Sequence, residues 1–149
     1  MTAGGPRGRG GAAPPLPSAV APPDLRPLLD RVPGAAAVYA FGSRAGGVAR
    51  AESDLDLAVL PPRPLDPVER FDVQEALAAH LGVDVDLVDL LSASTVMRAE
   101  VLRSGRVIHD ADPTARAFWE VWTMSAYALL NEERAGILED VRRRGRVYG

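Results

Sequence analysis

The sequence predicts a small α/β (α+β) domain: a mixed β-sheet flanked by helices, closed by a C-terminal helix. Three observations carry this. Short apolar runs at 35–41, 53–60 and 83–90 have strand length and are bounded by Gly or Pro. Longer segments of helical character separate and follow them. Finally, 47% of the 149 residues are hydrophobic and 25% charged, which suits one core of domain size.

Asp24 is a candidate N-cap for a helix over LRPLLDRV, with Leu25, Leu28, Leu29 and Val32 apolar and Pro33-Gly34 as its stop. AAAVYAF (35–41) reads as a strand ending at Gly42. SDLDLAVL (53–60) reads as a second, whose alternation puts Asp54, Asp56 and Ala58 on one face and Leu55, Leu57 and Val59 on the other, with Pro61-Pro62 ending it. Asp66 is placed to cap a helix over PVERFDVQEALAAHLG. Val68, Phe71, Val73, Leu77, Ala78 and Leu81 are its expected core stripe, and Gly82 its C-cap. VDVDLVDL (83–90) is a third strand with Asp84 and Asp86 on one face and Asp89 on the other. Ser92 or Ser94 caps a helix over TVMRAEVLRSG, and RVIHD is a short extended piece. The last segment reads as one helix from Pro113 to about Arg143, with a frayed basic end. Trp119, Trp122, Met124, Ala128, Leu129 and Leu130 are its expected apolar surface. The aromatic trio Phe118, Trp119 and Trp122 fits either core packing or a protein interface.

The organisation expected is a Gly/Ala/Pro-rich disordered leader over 1–22, a core domain over 23–110, and a C-terminal helix with basic tail over 111–149. The formal net charge of −3 supplies no global field for nucleic acid, so direct nucleic-acid binding is not expected. The absence of cysteine excludes disulfides and thiolate metal sites. No run of about eighteen apolar residues is present to span a membrane. The leader has no apolar stretch of signal-peptide type, so a cytoplasmic protein is the expectation.

The chemistry lies in residues 42–60, GSRAGGVARAESDLDLAVL. Gly42 permits a tight turn and close approach of backbone to an anion. Ser43 adds a hydroxyl and, at a helix start, outward-facing N–H groups. Arg44 is placed to neutralise phosphate. Ten residues separate Ser43 from Asp54, and Asp54 and Asp56 occupy alternate strand positions, so both carboxylates point the same way. Two such charges repel until a divalent cation sits between them, and magnesium takes one or two carboxylates together with substrate phosphates. A third carboxylate on a neighbouring strand completes a two-metal arrangement. Asp86 is the choice, with Asp84 nearer the strand entrance and Asp89 on the opposite face.

Gly42-Ser43, Asp54-x-Asp56 and the acidic strand at 85–90 together resemble the minimal nucleotidyltransferase (MNT) family of the DNA polymerase beta-like superfamily, over about residues 25–110. The resemblance implies transfer of a nucleoside monophosphate from an NTP, with ATP the expected donor, to a hydroxyl. Gly42 and Ser43 would hold the β- and γ-phosphates, and Asp54, Asp56 and Asp86 two Mg2+ ions, with Asp86 also helping to deprotonate the acceptor. It further implies a partner, a HEPN-type helical toxin modified on tyrosine, which makes this chain an antitoxin. The family string Gly-Ser-x-Ala-Arg-Gly is altered, with Gly46 in the place of the Arg and Arg44 and Arg50 as the nearby cations. The alternatives are a nucleotidyltransferase acting on a small molecule such as an antibiotic, and an antitoxin that neutralises by binding alone. A homo-oligomer is compatible with either.

Overall fold

The computed structural model describes residues 22–42 and 54–148. The elements in chain order are α1 (Arg26–Arg31), β1 (Ala37–Phe41), β2 (Leu55–Leu60), α2 (Pro67–Leu81), β3 (Val85–Asp89), α3 (Thr95–Ser104), β4 (Arg106–Asp110) and α4 (Pro113–Tyr148). The expected leader lies outside the described residues, Pro22 excepted.

The four strands form one mixed sheet in the order β3-β2-β1-β4. β1 runs antiparallel to both β2 and β4, and β2 runs parallel to β3 through the α2 crossover. Strand alternation sorts the side chains into two cores. Val38, Ala40, Leu55, Leu57, Val59 and Leu87 face α1 and α2. Ala37, Tyr39, Phe41, Ala58 and Leu60 face α3 and the start of α4, where Val101 and Trp119 close over them.

The expected stops hold. Asp66 and Glu69 form a reciprocal capping box at α2, and Gly82 ends that helix at φ +71°. Ser94, rather than Ser92, caps α3, its hydroxyl accepting from Met97 N at 3.1 Å. Asp24 accepts from Arg26 N at 3.1 Å, although the helical N-cap position itself belongs to Leu25. The same carboxylate lies 2.9 Å from His80 Nε2, tying the entrance of α1 to the end of α2.

One expectation is sharpened and three are corrected. RVIHD is a complete fourth strand, an edge strand whose register on β1 shifts between Val38 and Tyr39. Val68 and Phe71 are exposed, because the buried line of α2 runs through Val73 and Leu77 and these two lie round the cylinder from it. Trp122, Met124 and Leu129 are also exposed, whereas Trp119 is buried, so the aromatic trio is split between core and surface. The basic end remains helical to Tyr148 rather than stopping near Arg143.

Candidate active site

β1 and β2 bring Phe41 opposite Asp56, and β2 and β3 bring Asp56 opposite Asp86. The two carboxylates thus share one rung of the sheet, on the face that carries Tyr39 and Ala58. Asp54 precedes β2 by one residue and lies two positions from Asp56, on the same side. Asp54 and Asp86 are exposed and Asp56 is half-buried, so the group opens to solvent at the end of β2.

Burial holds the Asp56 carboxyl above its usual range, and the negative charges of Asp86 and then Asp54 push it the same way. That is an electrostatic deficit that a cation would remove. Gly42 follows β1 directly at φ +79°, a backbone conformation that L side chains rarely adopt. A Cβ placed there would overlap Asp56 Oδ2 and stand 3.1 Å from Asp56 Cγ. The glycine therefore sets both the turn and the space in which the Asp56 carboxylate rests. Ser43 and Arg44, with Gly46 and Arg50, lie outside the described residues.

Among the described residues no three His, Asp or Glu side chains lie together so as to hold a metal ion by themselves. Magnesium characteristically takes one or two carboxylates together with substrate oxygens and water. The hard-oxygen chemistry and the mutual repulsion at Asp56 fit that ion.

The third acidic strand resolves into three separate environments. Asp86 stands beside Asp56. Asp84 is exposed before β3 begins, and its backbone carbonyl accepts from Leu55 N at 2.9 Å. Asp89 is 4% exposed on the opposite face. Its carboxylate accepts from Leu65 N at 2.7 Å, Leu91 N at 2.9 Å and Ser92 Oγ at 2.9 Å. Asp89 is thus a fixed internal connector that pins the loop after β2 to the end of β3. That pairing of a buried carboxylate with loop amides carries no local sequence signal.

A second polar group sits under the site-bearing face. Tyr39 is 2% exposed, and its hydroxyl donates to Glu120 Oε2 at 2.7 Å. Arg116 joins the same oxygen at 3.0 Å and Asp110 Oδ1 at 2.9 Å. Burial, reinforced by Glu120, raises the Tyr39 phenol far above its ordinary range, so it remains a proton donor. The chain fixes α4 across β1 and β4 through these bonds; the residues are far apart in sequence and were not singled out from it.

Strand-borne carboxylates beside a glycine turn on this mixed sheet define the class of nucleotidyl-transferring folds. The chain matches the family described as Polymerase beta, Nucleotidyltransferase over residues 24–114, and it belongs to that nucleotidyltransferase family. It is 38% identical over 117 residues to the protein adenylyltransferase MntA of Shewanella oneidensis, spanning 78% of this chain and 84% of that protein. It is 38% identical over 78 residues to the probable protein adenylyltransferase MntA of Haemophilus influenzae, spanning 52% of this chain and 68% of that one. The fold matches a crystal structure of a toxin–antitoxin with AMP-PNP at TM-score 0.71 and 38% identity, covering 78% of this chain and 94% of that one. It also matches a tri-AMPylated Shewanella oneidensis HEPN toxin in complex with MNT antitoxin, at TM-score 0.66 and 36% identity, covering 78% and 91%. Among the described residues no helix is long and apolar enough to cross a membrane.

Proposed function

We propose that this protein is a magnesium-dependent adenylyltransferase that moves AMP from ATP onto a tyrosine hydroxyl of a cognate HEPN-type toxin, and thereby acts as its antitoxin. The observation that carries the reading is the Asp56–Asp86 rung with Asp54 beside it, in a chain 38% identical to a protein adenylyltransferase. The complexes of similar chains with a HEPN toxin support the partner, and AMP-PNP in one of them supports the nucleotide.

In this reading Asp54, Asp56 and Asp86 hold the metal, which when bound neutralises triphosphate charge and polarises the α-phosphorus. Gly42 lets the backbone approach the β- and γ-phosphates. Ser43 and Arg44 supply the hydroxyl and guanidinium donors that hold them. Asp86, at the outer end of the rung, accepts the proton of the attacking tyrosine. The tyrosine oxygen forms a bond to the α-phosphorus, the bond to the bridging oxygen breaks, and pyrophosphate leaves. Such transfer needs chiefly positioning and charge neutralisation, which carboxylates held on a rigid sheet end provide.

The test is toxin neutralisation in cells that express both proteins, comparing wild type with Asp54→Asn/Asp56→Asn. Loss of neutralisation, with the pair still co-purifying, supports catalysis as the means. Full neutralisation by the variant would overturn it and leave an antitoxin that works by binding.

A further inference from the structure

Among the described strands β3 lies at an edge of the sheet, with β2 as its one neighbour. It also carries Asp86, the carboxylate that stands opposite Asp56. The backbone bonds at the two ends of β3 show which of its groups face β2. Asp84 O accepts from Leu55 N at 2.9 Å, and Leu90 N donates to Val59 O at 3.0 Å. Backbone groups alternate sides along a strand, so Leu87, out of phase with both, turns its N–H and C=O to the outer edge.

No strand lies there among the described residues, yet both groups are paired. Leu87 N donates to Gln74 Oε1 at 2.9 Å, and Leu87 O accepts from Arg70 Nη1 at 3.0 Å. Arg70 Nη1 also donates to Gln74 Oε1 at 3.2 Å, which joins the two side chains. They stand at positions i and i+4 of α2, on one face of the crossover helix. Together they present one acceptor and one donor, the pair that the peptide edge of a fifth strand would present.

The clamp closes on the residue next to Asp86. The Leu87 side chain is 1% exposed in the core beneath α1 and α2, so this residue is fixed through its side chain and both backbone groups. Asp86 itself is exposed, and its place is set by the backbone that carries it. A strand bonded on one side only opens more readily than one bonded on both. Displacement of β3 by an ångström would take Asp86 out of reach of an ion held by Asp56, a shift that costs about 100-fold in rate.

We propose that Arg70 and Gln74 are positioning residues for nucleotide transfer: they close the outer edge of β3 at Leu87 and so hold Asp86 at the spacing from Asp56 that a shared metal ion needs. The inference rests on the function proposed above.

Three variants test it. Gln74→Leu removes the acceptor of Leu87 N, Arg70→Met removes the donor to Leu87 O, and Gln74→Glu keeps an oxygen in place beside Arg70. Each is read by hydrogen exchange of the Leu87 amide in the metal-free protein, by Mn2+ affinity with AMP-PNP from electron paramagnetic resonance, and by kcat and KM for label transfer to the toxin. In Gln74→Leu the Leu87 amide loses its protection, and Mn2+ affinity and kcat fall about tenfold, the lower end of the range for groups that orient metal ligands. KM for the toxin stays at the wild-type value. Arg70→Met lowers Mn2+ affinity and kcat in the same way, and Gln74→Glu behaves as wild type. A pair that served stability alone would lower the melting temperature without moving Mn2+ affinity or separating kcat from KM. Wild-type Mn2+ affinity in folded Gln74→Leu and Arg70→Met would overturn the proposal. So would loss of Leu87 protection with self-association and no change in Mn2+ affinity, which would make the pair a guard of the sheet edge. Gln74→Glu as impaired as Gln74→Leu would also overturn it. A wild type that transfers no label counts against the function proposed above, while exchange and Mn2+ affinity still decide whether the clamp places Asp86.

Discussion

Gly42 and Asp56 are fixed by each other. The carboxylate fills the space a Cβ would take, and the glycine adopts the positive φ that lets β1 turn away at that point. Gly42→Ala should therefore displace Asp56 and lower transfer activity by about 100-fold, the scale of an ångström's misplacement. Its stability loss should be about 1–3 kcal/mol from backbone strain, read by urea unfolding. Asp56 itself is strained by like charge in the metal-free protein. Asp56→Asn should raise the melting temperature measured in a chelator and abolish the rise that magnesium with ATP gives wild type; a variant that still gains from magnesium would remove Asp56 from the metal site. Asp89 behaves oppositely. Cutting it to Ala leaves the buried Leu65 amide, the part-buried Leu91 amide and a serine hydroxyl without their acceptor and should cost about 3 kcal/mol, with activity retained in the folded fraction. Sequence periodicity separated Asp86 from Asp89 by face, because one residue of phase reverses a strand side chain. It could not show that Asp89 is buried, since its partners lie on loops whose positions only the fold defines.

Elements with their own boundary chemistry were legible: Asp66, Ser94, Gly82 and Pro33-Gly34 each mark an end by a local hydrogen bond or backbone preference. β4 was less so, because five residues that alternate only weakly gain strand identity from β1, not from themselves. Asp66→Ala should lower stability by about 1 kcal/mol, measured by chemical unfolding. The α1–α2 latch carries a pH dependence. Hydrogen bonds from Arg26 and then His80 hold the Asp24 carboxyl well below its usual range. A depressed carboxylate contributes stability above its unfolded value near 3.8, and that contribution is lost as pH falls through the lower folded value. Asp24→Asn should thus be slightly less stable than wild type at neutral pH, and the difference should vanish in strong acid. A gap that persisted there would mean the latch does not act through charge. The group is about one-third exposed to solvent, and screening there keeps the effect small.

For the whole molecule, the mixed sheet places β1, β2 and β3 side by side, which converts a Gly turn, an Asp-x-Asp strand and a third acidic strand into one solvent-facing group. That convergence was readable because each motif sits at a strand end and strand ends line up. Asp84 remained a rival to Asp86 until the register set Asp86 opposite Asp56. The expected phosphate donors Ser43 and Arg44 lie outside the described residues, so that half of the site rests on its sequence and on Gly42. The most direct measurement is label transfer from α-labelled ATP with magnesium to the HEPN-type toxin proposed as the partner. The account predicts label on a tyrosine of that protein, absent in Asp54→Asn/Asp56→Asn and in chelator. Tight binding of the two proteins with no label from any of the four nucleoside triphosphates would contradict it.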